Sequence, residues 1–125
     1  MKKPKKITYH QKDRSLELTY EDFSWKIAAE LLRVFSPSAE VRGHAPQERK
    51  IQTGKKYIAI NRIDPVGNYA IRITFDDGHD TGLYSWDFLY DLGKNEEEYW
   101  DNYHSELERN NASRLPTISV EQWSP

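Results

Sequence analysis

The stretch from Tyr69 to Gly78 constrains the fold more than any other part of the chain. Tyr69, Ile71, Ile73 and Phe75 alternate with Ala70, Arg72, Thr74 and Asp76, and Asp77-Gly78 follows at once. A period of two sends the two sets to opposite faces of a strand, and Asp-Gly favours a tight hairpin turn. Such a strand needs partners for its backbone groups and cover for its apolar face. Tyr57–Ile63 supplies the strand before it, through a turn at Asp64-Pro-Val-Gly-Asn68, and about His79 through Tyr84 supplies the strand after. The expectation is a three-stranded antiparallel meander, buried on one face and wet on the other.

Upstream, Ile7, Tyr9, Leu16, Leu18 and Tyr20 alternate with polar residues around a polar Lys12-Asp-Arg-Ser15 turn, which reads as a hairpin over residues 7–20. From Ser24 to Val34 the spacing predicts a buried helix, with Ser24 as N-cap, one stripe of Trp25, Ala28, Ala29 and Leu32, and another of Ile27, Leu31 and Val34. Residues 36–56 hold Pro37, Gly43, Pro46 and Gly54 without sustained period, and a loop this long in a small domain is functional or mobile. Ser85 or Asp87 caps a short helix, Trp86–Leu92, stopped by Gly93. Asn95 and Glu96-Glu-Glu98 open a C-terminal helix with a Trp100, Tyr103, Leu107 stripe. The class is α+β: a small antiparallel meander and an N-terminal hairpin packed with a short buried helix and a C-terminal helix. Residues 1–109 form one domain, and residues 110–125, polar and aperiodic, form a frayed tail.

Composition narrows the function classes. Eighteen Lys and Arg against 20 Asp and Glu give a net charge of −2, which excludes a generally basic nucleic-acid binder and a polybasic membrane module. With no cysteine there is no disulfide, thiolate metal site or cysteine nucleophile. The charged start Met1–Lys6 runs into polar Ile7–Asp13, and no stretch approaches the ~18 apolar residues of a membrane span, so a cytoplasmic location is expected. Charge is uneven: Arg42, Arg49, Lys50, Lys55, Lys56 and Arg62 outnumber Glu40 and Glu48 in residues 40–62, whereas acids dominate residues 87–109. That pattern reads either as a basic loop for an acidic partner or as two solvated faces. No Gly-rich phosphate loop, Gly-x-Ser-x-Gly elbow or His-Glu-x-x-His motif is present.

Three stretches taken together carry a family resemblance: Leu31–Arg42, then Ile63–Ala70, then Phe75–Trp86 with its Asp-Gly-His and Gly-Leu-Tyr-Ser-Trp runs. They resemble the gamma-butyrobetaine hydroxylase-like N-terminal domain, a domain of unknown function, over roughly Lys6–Gly93, in its standalone bacterial form. In that family the oxygenase chemistry belongs to a separate, larger domain. A non-haem iron oxygenase needs two His and a carboxylate on iron, whereas this sequence offers Asp77-Gly-His79 in reverse order. The resemblance therefore does not imply hydroxylase activity for this chain, and no enzyme activity is expected, an enzyme acting on a small ligand being kept as an alternative because Asp and His cluster at one turn. In the hydroxylases, three cysteines and a later histidine hold zinc. The matching positions here are Ser36, Ser38, Val41 and His79, so that tetrahedral site loses three of its four ligands.

Three alternatives stand for what replaces it. Ser36 and Ser38 close the turn by hydroxyl–backbone hydrogen bonds without a metal. Or His79 and His44 join Asp77 or Asp80 around Fe²⁺ or Zn²⁺. Or Arg33, Arg42 and the hydroxyls hold an anion. Arg33, closing the buried helix, reads as the partner of a carboxylate, and Tyr84 and Trp86 as core and rim aromatics. No cofactor is assigned beyond that iron or zinc alternative. The function expected is a non-catalytic protein-interaction module whose contact surface joins residues 36–56 to Asp77–Trp86, with a metal-binding protein as the alternative.

Overall fold

Local alternation does produce strands in both halves of the chain, and they form two separate sheets. The computed structural model describes residues 2–117. The first sheet has the order β1-β2-β3, comprising β1 (Lys6–His10), β2 (Ser15–Thr19) and β3 (Ser24–Ala28), and the second the order β4-β5-β6, comprising β4 (Ile60–Val66), β5 (Ala70–Phe75) and β6 (Leu83–Ser85). All neighbours are antiparallel. Helix α1 (Ala29–Val34) follows β3 directly. A single turn, α2 (Ala39–Arg42), and a 3₁₀ turn (Pro46–Glu48) punctuate the loop, and α3 (Trp86–Lys94) and α4 (Glu96–Arg109) close the described fold. Among the described residues no helix is long and apolar enough to cross a membrane.

The core lies where the inward faces of both sheets meet α1 and α3. Leu16, Leu18, Ile27, Leu31, Leu32, Ile73, Tyr84, Leu89 and Leu92 are fully buried there. At about 1.5–3 kcal/mol for each fully buried aliphatic side chain, this cluster outweighs any local propensity that opposes it. A smaller cluster of Val34, Tyr103 and Leu107 fastens α4 to α1, and α4 buries the expected stripe.

Four expectations need correction. Ser24–Ala28 is a strand rather than the first turns of a helix. Trp25 and Ile27 pair with Leu18 and Leu16 of β2. The same residues satisfy a period of two, and the hairpin already formed by β1 and β2 offers an edge that pairs their backbone. The helix starts only at Ala29, where no side chain caps it, and Ser24 faces Thr19 instead. In the second sheet β4 begins at Ile60 and runs through Pro65 to Val66, so the turn is shorter than Asp64–Asn68. Proline is tolerated because β4 is an edge strand.

The third strand is also shorter than expected. Gly78, at φ +88°, closes the Asp-Gly turn with Gly78 N–H donating to Phe75 O and Phe75 N–H to His79 O. Residues 79–82 then leave the sheet, where the His79 and Thr81 side chains bond Ser36 and Ser38 of the segment after α1. Finally, Gly93 does not stop α3, which continues to Lys94. A β-carbon at Gly93 would lie 2.4 Å from Cε3 of Trp25, so the glycine serves a close approach between helix and indole. Within the tail that begins at Asn110, Gly54 N–H donates to Ser113 O and Lys56 N–H to Arg114 O, both at 3.0 Å. Residues 118–125 lie outside the described residues.

Candidate functional site

The C-terminal end of α1 turns into Ser36-Pro37-Ser38, which faces the loop between β5 and β6. Ser36 is wholly buried, and its Oγ lies 2.8 Å from Nε2 of His79. Ser38 N–H donates to Ser36 Oγ (3.3 Å), Ser38 Oγ bonds Thr81 Oγ1 (2.7 Å), and Glu40 N–H donates to Ser38 Oγ (3.1 Å), which caps α2. Val41, on α2, is buried. The hydroxyl–backbone bonds expected of Ser36 and Ser38 are therefore present, and both hydroxyls also reach across to the loop that carries His79. Gly82 lets the two segments touch: a β-carbon there would sit 2.4 Å from Ser36 Oγ and 3.2 Å from Pro37 Cδ.

Beside this cluster Arg33 donates from Nε to Asp77 Oδ2 (2.9 Å) and from Nη1 to Gln52 Oε1 (2.9 Å), and Lys55 Nζ donates to the same Asp77 oxygen (2.7 Å). Asp77 Oδ1 accepts from His79 N–H (3.1 Å). Burial raises the Asp77 pKa, but the hydrogen bonds from Lys55, His79 N–H and Arg33 outweigh it and bring the carboxyl down to about 2. For His79, desolvation is the largest effect and the Arg33 charge adds to it. Together they lower its pKa against the opposing pull of Asp77, Glu40 and Asp80. The imidazole is held in its neutral form.

A serine hydroxyl on a histidine nitrogen suggests a nucleophile and its base, with Glu40 as the third member. The three groups are not drawn together as a triad. Glu40 Oε2 stands 3.7 Å from His79 Nδ1, too long for a hydrogen bond, and the His79 side chain is only 6% exposed. Ser36 is fully covered, so its oxygen is not presented to solvent in this arrangement. The cluster is a hydrogen-bonded lock between two loops.

The other residues singled out in the sequence divide. Tyr84 is buried and donates to Leu32 O (2.7 Å), which ties β6 to α1. Trp86 donates from Nε1 to Asn68 O (2.8 Å) at the start of α3, and Arg42 lies over the Phe88 ring, 4.9 Å from its centroid. His44 donates its backbone N–H to Glu48. Among the described residues no three His, Asp or Glu side chains converge as a metal ion requires, so the set of His79, His44 and an aspartate is not assembled. Arg33 pairs with a carboxylate as expected, through Nε to Asp77, with Nη1 turned to Gln52. Sequence reasoning missed Gln52, Lys55, Thr81 and Gly82 as members of the cluster, and no local pattern marks them. It also missed that Arg49 of the basic segment clasps Glu106 of the acidic one (2.8 and 3.1 Å) and lies over Phe35.

The family model described as gamma-butyrobetaine hydroxylase-like, N-terminal matches residues 7–90. Two protein structures solved in solution by NMR are similar over nearly the whole length. One is 40% identical over 100% of this chain and 99% of that chain, with a TM-score of 0.81. The other is 45% identical over 98% and 92%, with a TM-score of 0.77. A crystal structure of a protein of unknown function from Acidithiobacillus ferrooxidans, assigned to the DUF971 family, is 31% identical over 74% of this chain and 93% of that one, with a TM-score of 0.62. No curated protein matches.

Proposed function

The chain belongs to the gamma-butyrobetaine hydroxylase-like N-terminal domain family, and from that premise we propose that it acts as a non-catalytic module that docks an acidic surface of a protein partner through residues 38–50. The observation that carries this reading is a preorganised, concave, cation-rimmed loop. Lys50 N–H donates to Val41 O and His44 N–H to Glu48, both at 2.8 Å. Gly43 sits at φ +68°, where a β-carbon would collide with Glu48 at 2.6 Å, so the bend admits only glycine. A cavity of about 340 Å³ opens among Arg42, Gly43, His44, Ala45, Pro46 and Arg49.

The basic segment sorts itself. Arg49 and Lys55 are spent within the molecule on Glu106 and Asp77. Arg42 and Lys50 are exposed and have no carboxylate partner among the described residues. A rigid loop that presents unpaired cations loses little entropy on binding and gains electrostatic steering toward an acidic surface. The buried lock behind it supports a role in shaping the loop rather than in turning over a substrate.

Charge reversal tests the reading. Arg42→Glu combined with Lys50→Glu leaves the ion pairs intact, whereas reversal at Lys55 would set a second carboxylate against Asp77 and disturb the fold. With thermal midpoints matched, crosslinked partner recovered by the double variant should fall at least about tenfold below that of wild type. Lys12→Glu, in the β1–β2 turn, should recover it normally. Equal recovery by all three proteins would refute the docking surface.

A further inference from the structure

On the side of α1 that faces α4, Glu30 is 5% exposed although it is a carboxylate. Tyr103 donates its hydroxyl to Oε2 at 2.7 Å, and Arg114 closes a two-pronged pair, Nε to Oε2 and Nη2 to Oε1, both at 2.7 Å. The Arg114 guanidinium also lies over the Trp100 ring, 5.5 Å from its centroid. A buried carboxylate in a fixed orientation, a second oxygen beside it and an aromatic wall are the elements that recognise a planar guanidinium. A cavity of about 290 Å³ adjoins the pair, lined also by Arg14, Lys56 and Tyr57.

The segment that delivers Arg114 is weakly fastened otherwise. Asn110, Asn111, Ser113, Leu115, Pro116 and Thr117 are exposed. Besides Arg114, what holds this segment across to the rest of the fold is the two backbone bonds from Gly54 and Lys56 and the partial burial of Ala112. Segments held by so few contacts open locally at small cost. The receptor half lies on the helices: Tyr103 packs with Val34 of α1 and Leu107 of α4, and Glu30 stands on α1 within reach of its hydroxyl.

We propose that the Glu30 pocket is an arginine-recognition site, closed in cis by Arg114 and available in trans to an arginine side chain of a partner protein. It is distinct from the loop of residues 38–50 and does not rest on the function proposed for that loop. Arg14 and Lys56, both over the Tyr57 ring at 5.9 and 5.6 Å, repel a second cation. They therefore suit a guest whose arginine is followed by an acidic or carbonyl group.

The test uses the full chain with N-acetylarginine amide as probe. Arg114→Ala should bind it saturably, with shifts in the amide resonances of Glu30 and Tyr103 and in the Trp100 indole. Affinity should be at least about tenfold above that of wild type, where Arg114 competes, and above that of Glu30→Gln/Arg114→Ala. The neutral isostere N-acetylcitrulline amide should not bind. Equal binding of both probes, or binding indifferent to Glu30→Gln, would overturn the assignment. Should Arg114→Ala not fold, hydrogen exchange in wild type decides. The arginine probe, and not the citrulline probe, should speed exchange of the Gly54 and Lys56 amides at unchanged global stability, and unchanged rates would overturn it.

Discussion

Gly82→Ala is the sharpest probe of the lock between the two loops. The added methyl carbon would stand 2.4 Å from Ser36 Oγ, 3.2 Å from Pro37 Cδ and 3.4 Å from Tyr84 Cε1. Ser36 can swing its hydroxyl away, but only by leaving His79 at 2.8 Å and the Ser38 amide at 3.3 Å. Stranding a buried hydrogen-bonding group costs about 1–3 kcal/mol, and crowding against Pro37 adds about 1 kcal/mol or more. Against this, alanine restricts the unfolded chain and stabilises by about 0.4–1 kcal/mol. The clash wins, with a net loss of about 1–3 kcal/mol. Urea titration followed by tryptophan fluorescence should show the midpoint falling by about 1 M, given a slope of about 1–3 kcal/mol per M. A double-mutant cycle isolates the cause. With Ser36→Ala already in place the hydroxyl is gone, so Gly82→Ala should cost about 1–2 kcal/mol less than it does in wild type. A neutral or stabilising Gly82→Ala, or additivity within about 0.5 kcal/mol, would refute the reasoning.

The ion-pair network should give acid sensitivity with a defined sign. Asp77 has a folded pKa of about 2 against an ordinary 3.8, so its contribution is full above 3.8 and is lost as pH falls toward 2. After allowance for its partial exposure this amounts to about 1 kcal/mol, and Asp77→Asn should flatten urea midpoints measured between pH 5 and 2. His79, with its pKa lowered from 6.5, stabilises the fold fully above that value and less as pH drops below it. His79→Gln should flatten the interval from pH 7 to 5, and an unchanged slope there would exclude the buried neutral imidazole. Gly93→Ala gains about 1 kcal/mol of helix propensity but drives a methyl into Trp25 at 2.4–3.1 Å. The indole is hemmed in by Phe23, Tyr20 and Tyr90, so a net loss of about 1–2 kcal/mol and an altered near-ultraviolet spectrum are expected. A raised melting temperature would contradict that packing.

Legibility followed the range of the interactions. The β1–β2 hairpin, the alternating face of β5, the Ser85 cap of α3 and the Tyr103–Leu107 stripe of α4 were readable because each depends on residues within a few positions. Trp25 and Ile27 were not, since helical and strand spacing both fit them and only the open edge of β2 decides. Gly93 looked like a stop because the pattern cannot show that an indole from β3 fills the space where a side chain would go.

The same division holds for function. The amino-acid sequence by itself determined the α+β class, the absence of thiolate chemistry and the family. It also determined that residues 36, 38 and 41 are serine, serine and valine, which supply no thiolate. Only tertiary structure decided what those positions do. Ser36 meets His79 across 43 residues, and Glu30 meets Arg114 across 84. Arg49 meets Glu106 across 57, so part of the charge asymmetry is satisfied within the molecule. Each pairing joins polar groups that share no local period. Their partners are chosen by which loops the apolar core brings together, and by the cost of leaving a buried hydroxyl, imidazole or carboxylate without one.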